Sequence, residues 1–224
     1  MNMSSDVGRV VYVFIDPYQG RPPKWIGGLV ETGRRLTAEI AGRLEVVVFG
    51  LDETDVAGFL LDPSPDHIHL WPDGRLSDYD GQRFAQVLST LLNRSPAPIL
   101  LTADTPIGRD VTTRLAASGQ ARLIPRCVEL KGQPEQVEAS RLVMGGQMER
   151  GAVLPLDRPI AATMRTLRLP LVPESTKGAR PPISVIDDIP DKWYLEPLGL
   201  KRLNDAGLAL EEAAVVVAGG WGAG

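Results

Sequence analysis

A single cysteine, Cys127, occurs in 224 residues, so the chain cannot build an intramolecular disulfide framework or a thiolate zinc site. That usage suits a reducing cytoplasm. No apolar run approaches the roughly 18 residues of a membrane span, and the polar stretch Met1 to Gly8 lacks the apolar core of a signal peptide. No block of Lys or Arg occurs either, and 24 basic against 28 acidic residues leave a net charge of -4. Nucleic acid and anionic membrane both demand concentrated positive charge, which excludes them as main partners. A nucleophile-elbow context is missing around every serine, so a hydrolase reading has no support. What remains is a soluble, cytoplasmic protein whose partners are small molecules or proteins, long enough to bury a substantial core.

The first half of the chain alternates strand and helix signals. Arg9 to Ile15 (RVVYVFI) is β-branched and aromatic and stops at Asp16-Pro17, which predicts a buried strand. Ile26, Leu29, Gly33, Leu36 and Ile40 recur at steps of three and four, which makes one apolar helix face. Leu44 to Phe49 (LEVVVF) closes a β-α-β crossover and so implies parallel strands. A shorter helix is expected from Glu53 to Leu61, then a weak strand from His67 to Trp71. Phe84, Val87, Leu88, Leu91 and Leu92 mark the next helix, Ile99 to Thr102 the next strand, and Ile107, Val111 and Leu115 a helix ending near Gly119. Parallel α/β follows from the alternation.

Between Arg122 and Ile189 the pattern changes to short β-like runs (RLIPRCVEL, EASRLVMGG, PIAATMRTL, ISVID) broken by Gly and Pro. These predict additional strands that extend the sheet or fold over one edge. Pro190 to Asn204 is polar and proline-containing, and reads as a linker whose Trp193 and Tyr194 dock on a neighbouring surface. At Leu208 the pattern restarts in LALEEAAVVVAGGWGAG, with an acidic lead, a strand from Ala214 to Ala218 and a glycine-rich turn.

Three of these segments, in order, resemble the alpha subunit of electron transfer flavoproteins. They are the opening RVVYVFIDPYQGRPPKWIGGLVETGRRLTAEIAGRLEVVVFG, the middle ILLTADTPIGRDVTTRLA with Gly145-Gly146-Gln147 beyond it, and the terminal LEEAAVVVAGGWGAG. The resemblance implies an α/β fold: a Rossmann-like parallel sheet with flanking helices, plus additional strands in the second half. It divides the chain into an N-terminal α/β domain (1–189), a linker (190–207) and the start of a truncated flavin-binding domain (208–224), of which the remaining roughly 100 residues are absent. It also implies a heterodimer with a beta-type subunit, carrying electrons from dehydrogenase proteins to an acceptor protein, so the chain is an electron-carrier subunit rather than a stand-alone catalyst. FAD is the cofactor of such proteins. The segment after Leu210 is too short for the groove FAD needs, so stable binding by this chain alone is not expected.

Gly219, Gly220, Trp221 and Gly222 are the cofactor-binding candidates. Glycines after a buried strand let backbone approach a phosphate, although the pattern is not G-x-G-x-x-G and no helix follows. In the resembling family an arginine stands where Trp221 does and contacts FAD; a neutral indole cannot replace its charge and donor fork. A glycine-rich tail that frays is the plainer reading of the same residues.

Thr105 is placed to cap the helix that contains Gly108-Arg109-Asp110, with Asp110 complementing its dipole; alternatively Arg109 reaches a subunit interface or an anion at the strand ends. His67 and His69 share one face of a strand, as two metal ligands would, but no third ligand accompanies them and solvated histidines on an edge strand are the expectation. Cys127 reads as an apolar filler, and no catalytic or metal-ligating residue is assigned. Two other readings stay open. One is a stand-alone adenine-nucleotide-binding α/β protein, which the scarcity of glycine after the first and fourth strands counts against. The other is a nonfunctional, truncated remnant.

Overall fold

The structure, a computed structural model, describes residues 8–16, 23–53, 56, 65–172, 181–187, 198 and 215–222. The chain runs β1 (Val10–Ile15), α1 (Trp25–Ile40), β2 (Arg43–Phe49), β3 (His67–Trp71), α2 (Gly81–Leu92), β4 (Ile99–Ala103), α3 (Pro106–Ala117), β5 (Arg122–Gln133), β6 (Gln136–Val143), β7 (Met148–Pro155), β8 (Ile160–Met164) and β9 (Ile183–Val185). Their strands make one nine-stranded sheet in the order β7-β6-β5-β8-β4-β1-β2-β3-β9. Six neighbouring pairs are parallel, and β5-β6 and β6-β7 are antiparallel.

β1 is buried along its whole length, as a strand covered on both faces must be, and its unbroken apolar run follows from that. Val11, Val13 and Ile15 point into the core under α1. Val10, Tyr12 and Phe14 point the other way, into a second core built by α2 and α3. Gly33 lets α1 lie close to the sheet: a Cβ there would sit 2.7 Å from Leu44 Cδ1 and 2.9 Å from Val13 Cγ2. The helix ends at Ala41, which takes a left-handed conformation (φ 54°) and so turns the chain into β2.

The strands foreseen between Arg122 and Ile189 extend the sheet at both ends. β5, β6 and β7 form an antiparallel meander at one edge, β8 returns to lie between β4 and β5, and β9 closes the opposite edge beside β3. β7 escaped the sequence pattern. β3 is therefore not an edge strand, because Ile68 to Leu70 pair with Ile183 to Val185. The strand expected from Ala214 to Ala218 is not formed in its described part: residues 215–220 have no regular structure, with Val215 80% and Val217 93% exposed. A β-branched run becomes a strand only where a neighbour accepts its hydrogen bonds, and no described strand borders this one. The helix expected from Glu53 to Leu61 and the aromatics Trp193 and Tyr194 fall largely or wholly outside the described residues.

Candidate functional site

β1 sits where the sheet order changes direction: β2 and β3 lie on one side of it and β4 on the other. In open α/β sheets the crevice beyond the carboxyl ends of such strands is the usual ligand position. Here Asp16 follows β1, while Asp104 and Thr105 follow β4.

Thr105 ties these ends together. Its hydroxyl donates to Asp16 Oδ2 and accepts from the Gly108 N–H at 2.9 Å, which caps α3 with Pro106 at the first helical position. The capping role read from the sequence is present. Gly108 brings the helix start against β4, since a Cβ would lie 2.1 Å from the Ala103 carbonyl oxygen. Asp16 is only 5% exposed, and its second oxygen, Oδ1, is buried without a hydrogen-bond partner. Burial pushes its carboxyl up to about 6, against the lowering effect of the Thr105 hydroxyl.

Asp104 stands beside this pair. It accepts from Thr163 at 3.4 Å and ion-pairs with Arg109 at 3.7 Å and Arg126 at 3.5 Å. Arg126 reaches Asp104 through a β-bulge in β5: its φ is 59°, its N–H donates to Thr163 Oγ1 at 2.7 Å, and the register against β8 shifts between Ile124 and Cys127. A non-glycine residue in the left-handed region, at a bulge that re-aims a side chain, is a local device worth attention at a site. Both guanidinium groups remain about half exposed. The crevice is thus occupied by two carboxylates, Asp16 held by the Thr105 hydroxyl and Asp104 by two half-exposed arginines. It can contact an anionic or hydrogen-bonding partner surface, whereas Asp16 and Asp104 oppose a phosphate placed at the strand ends.

The other predicted residues lie elsewhere. Asp110 falls beyond the first turn of α3, where the dipole is no longer concentrated; it accepts from Tyr79 at 2.5 Å and Arg114 at 2.9 Å instead. His67 and His69 do share a face, with ring centroids 4.8 Å apart. They are not solvated edge residues: His69 Nε2 meets Glu45 at 2.6 Å with its side chain 13% exposed, and His67 Nε2 meets Ser184 on β9 at 2.8 Å. Burial would raise the Glu45 carboxyl, but the hydrogen bond and charge of His69 outweigh it and hold the group below its ordinary value. His67 is lowered, first by burial and then by His69. Among the described residues no group of three or more His, Cys, Asp or Glu could hold a metal ion.

Cys127 is buried, its thiol meeting the Ile124 carbonyl at 3.5 Å and pushed up to about 12 by burial. Gly219, Gly220, Trp221 and Gly222 lie in an exposed segment, with nothing within 4 Å of a Cβ built at Gly220 or Gly222 and Trp221 fully exposed. Nothing gathers around them among the described residues. Asp16, Asp104, Arg126 and Thr163 were not singled out as site residues from the sequence. The two Asp residues follow strand runs and could have been; Arg126 needs the bulge to be seen.

No described helix is long and apolar enough to cross a membrane. The family profile of the electron transfer flavoprotein domain matches residues 12–190. The chain is similar to an electron transfer flavoprotein subunit alpha of Megasphaera elsdenii, 24% identical over 220 residues that cover 95% of this chain and 64% of that one. It is 29% identical to a protein FixB of Azorhizobium caulinodans, over 96% of this chain and 60% of the relative. It is 24% identical to the LctC subunit of a lactate dehydrogenase (NAD(+),ferredoxin) of Acetobacterium woodii, over 96% of this chain and 51% of that subunit. The chain spans about three fifths of the length of the first two relatives.

Proposed function

Because the chain belongs to the electron transfer flavoprotein domain family, we propose that it acts in electron transfer as an alpha-type subunit, its sheet domain serving to associate with a beta-type subunit. The pair collects electrons from dehydrogenase proteins and passes them to an acceptor protein. The observation that carries this reading is the unbroken family match across the sheet, residues 12–190. The strand-end crevice supports it. A phosphate-binding crevice needs open N–H groups and little negative charge, but the α3 start is capped by Thr105 and flanked by Asp16 and Asp104. That counts against a stand-alone nucleotide binder. Arg109 and Arg126 offer polar contacts to a protein surface instead.

The proposed division is a sheet domain over 1–189, a linker over 190–207 and the start of a flavin-binding segment over 208–224. FAD is the cofactor the family implies. The described loop does not by itself fit it: the glycines around Trp221 stand in open space and the indole is neutral, so neither a backbone cradle nor a countercharge faces a pyrophosphate. We assign the flavin contacts to segments other than the sheet domain, and no step of electron transfer to its residues. Co-expression with a beta-type subunit, followed by co-purification and a visible spectrum, tests the reading. A stable complex is expected, with the chain alone colourless. A stoichiometric flavin band from the chain alone would refute the assignment of the flavin contacts, and AMP or ATP binding without any complex would establish the nucleotide-binding alternative.

A further inference from the structure

β7 is the outermost strand of the sheet, eight residues long and exposed at every position except Leu154. Its register against β6 runs unbroken from Gln136–Pro155 to Val143–Met148. Natural edge strands are commonly protected by bulges, lysines or a covering element. Among the described residues β7 has no bulge, lysine or covering element, its charged residues are confined to Glu149 and Arg150 and its proline to the last position, and Met144, Met148 and Val153 around it are 71%, 59% and 59% exposed.

A second observation concerns charge. Arg141 on β6 and Arg150 on β7 stand directly opposite each other, an arrangement of like charges that weakens a strand pair. No hydrogen bond or ion pair to a described carboxylate relieves either of them. With Leu123, Pro125, Ala139 and Leu154 they line a depression of about 180 Å³. Two guanidinium groups over an apolar floor are suited to one carboxylate held between them by charge-assisted hydrogen bonds.

We propose that the free edge of β7 docks an extended segment of a partner protein, whose backbone adds a strand to the sheet and whose Asp or Glu side chain settles between Arg141 and Arg150. Strand addition supplies affinity through main-chain hydrogen bonds, and the arginine pair supplies selection for an acidic residue. A second copy of this chain fits the site less well than an acidic partner segment, since pairing two β7 edges with Arg150 opposite Arg150 would gather four guanidinium groups on one face. The inference rests on the reading that the chain works with a second subunit, and it names the surface that subunit uses.

The test uses the full chain with the beta-type subunit. Amide hydrogen exchange along Met148–Pro155 is measured with and without the subunit, and affinity is measured for wild type and for the Arg141→Glu/Arg150→Glu variant, whose circular dichroism reports that it is folded. Protection of the β7 amides on binding is expected, together with an affinity loss of at least about 10-fold in the variant. A complex that leaves these amides unprotected and binds the variant as tightly as wild type overturns the docking site while leaving the subunit reading intact. Absence of any complex with wild type overturns the subunit reading and the docking site with it. Self-association of the chain through β7 also overturns the proposal.

Discussion

Replacing Asp16 with Asn should stabilise the protein near neutral pH, and the size of the gain should depend on pH. Asp16 is 5% exposed, one oxygen is held by Thr105 and the other has no partner. Burial raises the carboxyl from its ordinary 3.8 to about 6. A raised folded value means that ionisation is easier in the unfolded chain, so the favourable contribution is fully present below 3.8 and is lost as the pH rises through about 6. The shift corresponds to about 3 kcal/mol, since each tenfold change in an equilibrium constant is about 1.4 kcal/mol. Asn keeps an oxygen for the Thr105 hydroxyl and cannot ionise. At pH 8 the Asp16→Asn variant should therefore exceed wild type by up to about 3 kcal/mol, or roughly 6 to 12 °C in Tm for a chain of this size. At pH 4 the two should agree to within about 1 kcal/mol, the remainder reflecting the new amide N–H group. Urea unfolding at pH 4, 6 and 8 makes the measurement. A stability difference that stays constant across this range would refute the reasoning, because only a titrating group gives it a pH slope.

Two further outcomes follow from packing. Gly108→Ala forces a Cβ to within 2.1 Å of the Ala103 carbonyl and 2.5 Å of Thr102 Oγ1, so the start of α3 must lift away; a loss of about 1–3 kcal/mol is expected in urea unfolding, and an unchanged midpoint would show that the helix start yields freely. The Cys127 thiol, buried and pushed up to about 12, should react with a disulfide reagent at pH 8 at least about 100-fold more slowly in buffer than in denaturing urea. Complete labelling within seconds in native buffer would contradict its placement.

Much of the central sheet was legible because its signals are redundant. β1 and β2 are continuous apolar runs, and the 3.6-residue repeat of Ile26, Leu29, Gly33, Leu36 and Ile40 identifies α1, whose buried face it is. β7 was not legible: Met148-Glu149-Arg150-Gly151 mixes charge and glycine because nothing described covers the strand, and a strand without a buried face has no alternation to display. The edge position assigned to β3 failed because its neighbour β9 arrives more than a hundred residues later, a pairing no local pattern encodes. In the strand-end crevice, the Thr105 cap follows from Thr-Pro before a helix. The meeting of Asp16 with Thr105, and of Arg126 with Asp104, depends on sheet order and on a bulge. Tertiary geometry alone brings those residues together.

The late insertion of β8 has a consequence for synthesis. Chain order delivers a parallel block of β1 to β4 first and the β5-β6-β7 meander next, yet these two pieces share no strand pair; among the described strands β8 pairs with both. Until residues 160–164 leave the ribosome, β4 presents an open row of backbone N–H and C=O groups on that flank. Nascent chains are most exposed to aggregation while such long-range pairing is outstanding. A chain ending just before Ile160 would keep the two pieces in contact through α1, whose Glu39 accepts from the Gly132 N–H at 2.6 Å and whose Arg35 donates to the Leu130 carbonyl at 3.2 Å, but it would lack the described strand that makes them one sheet.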